Sequence, residues 1–293
     1  MEQPRHERVR SPGRLVARRL IRNPAAMAGC AIIVLLVLFA LIGPGMSPRA
    51  YDEQDYDHMR ESPGRQFWFG TDELGRDLFV LVAMGARVSL AVGLFASLIS
   101  LVIGVGYGAV SGWFGGRADR VMMRIVDILY GIPLLLIVIN LMVIFGSGLQ
   151  NVFLALGLVY WLDMARIVRG QVLRLRTTDY VEAARALGVG RLRIIVRHVL
   201  PNTLGPIVVT LTLTIPNAIF TESFLSYIGL GVKAPYESWG SLASKAAGIE
   251  FVRYSPYLVL FPAAAISLAM LAFNFVGDGL RDALDPRHLG KGS

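Results

Sequence analysis

The sequence predicts an all-α polytopic membrane protein, and three observations carry that prediction. Of 293 residues, 54% are hydrophobic and only 17% charged, with a mean hydropathy of +0.55. The apolar residues are bunched into runs, whereas a soluble domain intersperses them with charge. Six runs approach the about 20 residues that a spanning helix needs: 25–42, 88–110, 121–145, 152–168, 204–230 and 257–276. Between the fourth and fifth lies a polar, arginine-rich insert, 179–201, whose residues are patterned to fold.

The N-terminal tail, 1–24, is basic, and its stretch 5–22 is partly amphipathic. It suits anionic lipid headgroups, where each basic residue contributes about 1 kcal/mol. Membrane lipid is therefore the expected partner of this tail, and nucleic acid is not. Segment 25–45 is the first transmembrane helix. Its apolar run is too long for a signal-peptide core and no A-x-A site follows, so no removable secretory signal is expected. Met27-Ala28-Gly29-Cys30 has the form of a lipoprotein box, but its apolar stretch follows the cysteine instead of preceding it. Cys30 is the only cysteine, which excludes an intrachain disulfide or a cysteine-based zinc site.

Segment 46–87 is polar and carries eight acids. Phe67-Trp68-Phe69 suits a membrane interface. In the stretch from Phe69 to Asp77 the glycines permit tight turns, and Asp72, Arg76 and Asp77 can pair locally, bracing the second span. That span contains Gly104-x-x-x-Gly108, which allows close helix approach. The segment 112–116 reads as an inner turn. Ionisable residues within spans are costly unless paired or hydrated. Asp127 stands three residues from Arg124, and Asp163 three from Arg166, so each is expected to find its partner on its own helix. The fifth run holds Pro206 and Pro216, which free backbone carbonyls that need a protein or water partner. It also holds Asn217, Thr221, Glu222 and Ser223. Asn140, Asn217 and Glu222 are candidate pathway or gate residues, the alternative being interhelical hydrogen bonds. Glu222 has no evident partner nearby in the sequence.

In the insert, Asp179 is placed to cap a helix whose third residue is Glu182, a D-x-x-E form of the capping box. Ala183, Ala184 and Ala186 keep that helix slim, and Gly188 is a natural stop. A second amphipathic stretch, 191–200, ends at Pro201. A knob of this kind suits something that another protein grips. Lys and Arg set its side: with both termini inside, the inner segments hold 20 and the outer segments eight.

The chemistry of several enzyme classes is missing from the sequence. No G-x-x-x-x-G-K-[ST] occurs, since the one Gly-Lys pair, Gly290-Lys291, is followed by Gly292, so no loop cradles a nucleotide phosphate. His6, His58, His198 and His288 form no metal-ligand spacing, and no G-x-S-x-G elbow appears. The chain is expected to be no enzyme and to hold no metal or cofactor.

Glu182-Ala183-Ala184, Gly188 and Leu200-Pro201 resemble the EAA loop of permease subunits of bacterial ABC importers. Other stretches resemble the "C"-type permeases of the dipeptide and oligopeptide systems: Phe69–Asp77 as FGTD-x-x-GRD, Glu222 to Gly231 as E-x-x-LS-aromatic-x-GLG, Ser238-Trp239-Gly240-Ser241-Leu242, and Gly277 to Arg287 as GD-x-LRD-x-LDPR. The resemblance implies a five-helix core, 88–280, with the first span packed outside it, a cytoplasmic coupling loop, 169–201, and a cytoplasmic tail, 281–293. It implies half of a translocation pathway, completed as a heterodimer by a homologous second permease. Two ATP-binding-cassette ATPase domains would bind ATP and Mg²⁺ and press on the loop at Asp179, Glu182, Ala183, Ala184, Gly188, Leu200 and Pro201. A substrate-binding protein would deliver cargo from outside. Di- or oligopeptides are the implied cargo, with nickel chelates or glycosides as alternatives, and the bacterial inner membrane the implied location. Whether the FGTD stretch touches substrate or only braces the second span stays open at this level. The rival class, an ion-gradient-driven secondary transporter, would need buried carboxylates along its path and typically shows an inverted repeat. No such repeat is visible.

Overall fold

The computed structural model describes residues 12–246, 248 and 253–284; the start of the basic tail and the Asp285-Pro286-Arg287 end of the C-terminal motif lie outside them. The described residues form helices and turns, with one isolated bridge between Thr71 and Asp77. Helices α1 (Pro12–Arg22) and α2 (Pro24–Ile42) meet at Asn23. The Asn23 Oδ1 accepts from the N–H groups of Ala25 and Ala26 at 3.1 and 3.2 Å, and Pro24 occupies the first helical position, where its missing N–H costs nothing. At the far end of α2, the Arg87 Nε donates to the Ala40 carbonyl at 2.6 Å, serving a helix terminus that has no intrahelical donor.

Helix α3 (Leu78–Phe114) has 37 residues, about 55 Å at 1.5 Å per residue, and so extends beyond the predicted run at both ends. It lies along α6 (Leu149–Leu175). Gly104 faces Met164, and Gly112, expected in a turn, is helical and faces the Arg169 carbonyl; the turn itself falls at Gly115, with φ +62°. The predicted third span, 121–145, is not one helix. It is α4 (Gly116–Tyr130) and α5 (Leu134–Phe145), bent by 88° at their junction. The physical reason lies in Gly131-Ile132-Pro133: proline disfavours helical backbone at the residue before it, and it cannot continue the ladder. Among the described residues, five helices are long and apolar enough to cross a membrane, six if the bent pair counts as one span.

After α7 (Asp179–Ala186) the chain enters α8 (Arg191–Ile194), passes through a π-helical turn, Ile195–Val199, and continues as α9 (Leu200–Tyr227). The amphipathic stretch therefore does not end at Pro201. Proline has no N–H to give the preceding turn, and the helix accommodates it by widening: Leu200 N–H bonds the Ile195 carbonyl five residues back. The short α10 (Trp239–Lys245) wedges between α3 and α9, with Trp239 fully buried and its Nε1 donating to the Val82 carbonyl at 3.0 Å. The last helix, α11 (Tyr257–Leu284), packs against both α2 and α9. Gly29 lets α2 approach the Ala272 carbonyl on it.

Candidate functional site

The arginine-rich insert opens with an ordered, docked helix. Thr178, not Asp179, is the N-cap residue of α7, and its side chain makes no cap bond: its hydroxyl donates back to the Leu175 carbonyl at 2.6 Å. Asp179 is the first helical residue, so Glu182 stands one position too late for a capping box. Both acids still sit in the first turn, where the helix dipole favours negative charge. At the other end Gly188 takes φ +78°. The Gly188 N–H bonds the Arg185 carbonyl at 2.9 Å and the Val189 N–H bonds the Ala184 carbonyl at 3.1 Å, the paired bonds of a Schellman stop.

The two alanines of the motif point in opposite directions. Ala184 and Val181 are buried in an apolar cluster with Trp113 of α3, Val168 and Val172 of α6, and Ile194, Val199 and Ile207 of the helix that follows. Asp179, Glu182, Ala183 and Gly188 are exposed. Leu200 is half-buried and Pro201 exposed, both inside the continuous helix. Two residues the sequence reading passed over stand out at the tip: Leu187 is 83% exposed and Leu192 74%. Leu192 carried a signal, since it stands between Arg191 and Arg193; Leu187, between Ala186 and Gly188, carried none.

The candidate pathway residues do not converge. Asn140 is exposed on α5, its Nδ2 donating to its own helix at the Leu136 carbonyl, 2.7 Å. Asn217 is exposed on α9, and its backbone carbonyl accepts from the Tyr160 hydroxyl at 3.0 Å. Glu222 is fully buried. Its Oε1 accepts from Ser226 at 2.6 Å, and its Oε2 lies 3.5 Å from both Ser89 of α3 and Ser223. The apparent lack of a partner is thus corrected: four serines, Ser89, Ser223, Ser226 and Ser238, surround it, the first of them 133 residues away in sequence. Ser226 also accepts from the Val232 N–H at 3.1 Å and from Ser238 at 3.3 Å, so this buried network ties α9 to the segment entering α10.

The direct ion pair forms between helices, while Arg166 stays close enough to Asp163 on its own helix for the two charges to attract. Arg166 of α6 donates to Asp127 of α4 at 2.7 Å and lies 3.8 Å from the Tyr130 ring centroid; no bond joins Asp127 to Arg124. A second, more buried pair was not anticipated. Arg169 of α6 forks onto Asp119 of α4, Nη2 to Oδ2 at 2.6 Å, and Ser111 of α3 donates to the same carboxylate at 2.6 Å.

The Phe69–Asp77 stretch is bonded partly within itself and partly to its neighbours: Thr71 exchanges bonds with Glu61, and the Arg60 N–H reaches the Asp72 carbonyl at 3.0 Å. Asp72 accepts from the N–H groups of Leu74 and Arg76, both at 2.9 Å, and from the Arg76 guanidinium at 2.6 and 2.8 Å. Asp77 caps α3 through the Phe79 N–H at 3.0 Å and accepts from Ser47 at 2.8 Å. Arg76 lies 3.7 Å from Glu237, which also pairs with Lys245 of α10. Among the described residues, no three His, Cys, Asp or Glu side chains gather as a metal site.

Comparison with known proteins places this geometry. Residues 100–289 match the family described as binding-protein-dependent transport system inner membrane component, and residues 11–63 match the N-terminal TM domain of oligopeptide transport permease C. The oligopeptide transport system permease protein OppC of Bacillus subtilis (strain 168) is 49% identical over 92% of this chain and 88% of its own length. The dipeptide transport system permease protein DppC of the same organism is 51% identical over 92% of this chain and 84% of its length. The Escherichia coli (strain K12) OppC is 47% identical over 92% and 89%. Among solved structures, a chain of the inward-facing MetNI methionine ABC transporter has a similar fold, with a TM-score of 0.57 and 21% identity over 71% of this chain and 98% of that one.

Proposed function

The chain belongs to the family of binding-protein-dependent transport system inner membrane components, and from that premise we propose that it carries di- or oligopeptides through one half of an ATP-driven pathway. It is a multi-pass permease subunit of an ABC importer, and its family is not one of enzymes. Membership implies in general a partner permease, an ATPase and a substrate-binding protein. In the fuller reading, a homologous second permease completes the pathway as a heterodimer. Two ATPase domains bind ATP and Mg²⁺ and grip α7 through exposed Asp179, Glu182, Ala183, Leu187 and Gly188, while Ala184, Leu200 and Pro201 seat and continue the loop. A binding protein outside releases peptide into the opening.

The domain division follows the same reading: a basic tail (1–24), an added span (25–45), an outer segment (46–87), the permease core (88–280) with its coupling loop (169–201), and a tail (281–293). Both termini and α7 face the cytoplasm of a bacterial cell, in keeping with 20 inner against eight outer Lys and Arg. Asn140 and Asn217, exposed on α5 and α9, line the pathway; Glu222 holds the outer end of α9 in place. The peptide cargo rests on the names of the relatives at 47–51% identity.

The observation that carries the proposal is α7 itself. It is seated on the membrane core by Val181 and Ala184, yet it offers a leucine and an acidic turn to the outside. The test is reconstitution with the native partner subunits in proteoliposomes and measurement of radiolabelled trialanine uptake. Uptake should require ATP. Glu182→Lys should lower it without lowering membrane abundance, through reversed charge in the first helical turn, a dipole effect of about 0.3–1 kcal/mol, together with a lost contact to the ATPase. Uptake driven by a proton or sodium gradient without ATP would replace this reading with the secondary-transporter one.

A further inference from the structure

We propose that Trp113, Arg176 and Arg185 form a strut that makes α7 move as one body with α3, so that the force applied to the insert is delivered to a 37-residue helix of the core. The inference rests on the importer reading and names the residues through which that reading would work.

The end of α3 is held from two sides. Helix ends leave their last carbonyls without intrahelical donors. Two of these, Gly112 and Trp113, accept from the Arg176 Nη1 at 3.1 and 3.3 Å. Arg176 stands at the end of α6, three residues before α7 begins. The Trp113 ring is then covered by Arg185 from the last turn of α7, with the guanidinium carbon 4.6 Å from the ring centroid. Trp113 itself is only 7% exposed, and it shares the apolar cluster of Val181 and Ala184. So α7 is joined to one turn of α3 before its start, along its inner face and at its end.

The surrounding residues make that turn of α3 a firm anchor. Ser111 and Arg169 both bond Asp119, which ties the start of α4 to α3 and α6. Gly112 packs against the Arg169 carbonyl and Val172 of α6. A helix hung on a flexible connector would need none of these contacts. A cation over an aromatic face and an arginine on two helix-terminal carbonyls are directional, so they transmit rotation as well as push.

Trp113, Arg176 and Arg185 are positioning residues on this account, and the test reads coupling instead of binding. The full complex, with its native ATPases, second permease and binding protein, is reconstituted, and stimulation of ATP hydrolysis by the externally added binding protein is measured beside trialanine uptake. That stimulation must cross the permease from its outer face to α7, whichever peptide is carried. Trp113→Leu, Arg176→Gln and Arg185→Ala should each assemble normally and lose about five-fold or more of the stimulation, the lower range of typical allosteric coupling. Trp113→Phe and Arg185→Lys, which keep the ring face and the cation, should retain most of it.

The double variant Trp113→Leu/Arg185→Ala should be no worse than either single one, because both remove the same link. Arg185 could also touch the ATPase, and the buried Trp113 could not, so effects that multiply would overturn the strut. Wild-type stimulation in all three single variants would overturn it too. A wild-type complex that is stimulated but takes up no trialanine would fail the peptide reading alone. One that shows no stimulation would fail the importer mechanism and the strut together.

Discussion

Replacing Gly104 by alanine tests the packing on which the core depends. A Cβ built on Gly104 would lie 2.5 Å from the Met164 Cβ, 2.7 Å from its Cγ and 2.8 Å from the Trp161 carbonyl oxygen. Carbon contacts settle near 3.5–4.0 Å, so α3 and α6 would have to separate by roughly 1 Å at this level. The Met164 Cβ and the Trp161 carbonyl belong to α6's own framework and cannot rotate away. Overpacking of this kind costs about 1–3 kcal/mol. Gly106, two residues on, has nothing within 4 Å of its Cβ position and is the internal control. There alanine should be neutral or slightly stabilising, up to about 1 kcal/mol from helix propensity alone. The assay is thermal unfolding of both variants in the same detergent. A lower midpoint for Gly104→Ala and an unchanged or higher one for Gly106→Ala is expected. Equal midpoints for the two would refute the claim that the α3–α6 contact is set by backbone proximity.

Other consequences follow from single residues. Asp77→Ala removes the cap of α3 and the bond to Ser47, and should lower stability by about 0.5–2 kcal/mol, measured by the same unfolding assay, with Asp77→Asn recovering most of it. Gly188→Val forces a side chain into left-handed backbone at φ +78° where space is open, so its cost is conformational, roughly 1–2 kcal/mol. It should weaken ATPase co-purification while leaving membrane abundance unchanged. With Cys30 replaced, a cysteine at Asp55 should react with an impermeant thiol reagent on intact cells and one at Arg191 should not; the reverse pattern would invert the proposed orientation.

Much of this architecture was legible in the sequence because the membrane simplifies the problem. Long apolar runs have one use, and the glycine spacing of α3 announced a close neighbour. Gly188 announced where the insert turns. The failures share a cause: the deciding partner was distant, or a local rule was overridden. The break at Gly131-Ile132-Pro133 carried its own signal, but the apolar run spanned it and composition alone read through it. Pro201 looked like a terminator, yet a widened turn absorbed it. Glu222 seemed alone because its partners are hydroxyls and not cations: Ser226, one turn on in the same helix, makes its shortest bond, and Ser89 joins from another helix. Arg166 bonds Asp127 across a helix interface. The two faces of α7 were unreadable for the same reason, since only the packed structure separates Ala183 from Ala184.

The most direct test of the account is a disulfide-mapping experiment between α7 and the partner ATPase. Single cysteines are placed at Ala183 and Leu187, which face outward, and at Val181, which is fully buried against the core. In membranes holding the assembled complex, mild oxidation should cross-link the first two to cysteines scanned along the ATPase surface, with yields that change on adding ATP and vanadate. Val181 should stay unlinked. Cross-linking confined to Val181, or none from Ala183 and Leu187 in a complex that transports, would contradict the claim that this helix is where the engine grips the permease.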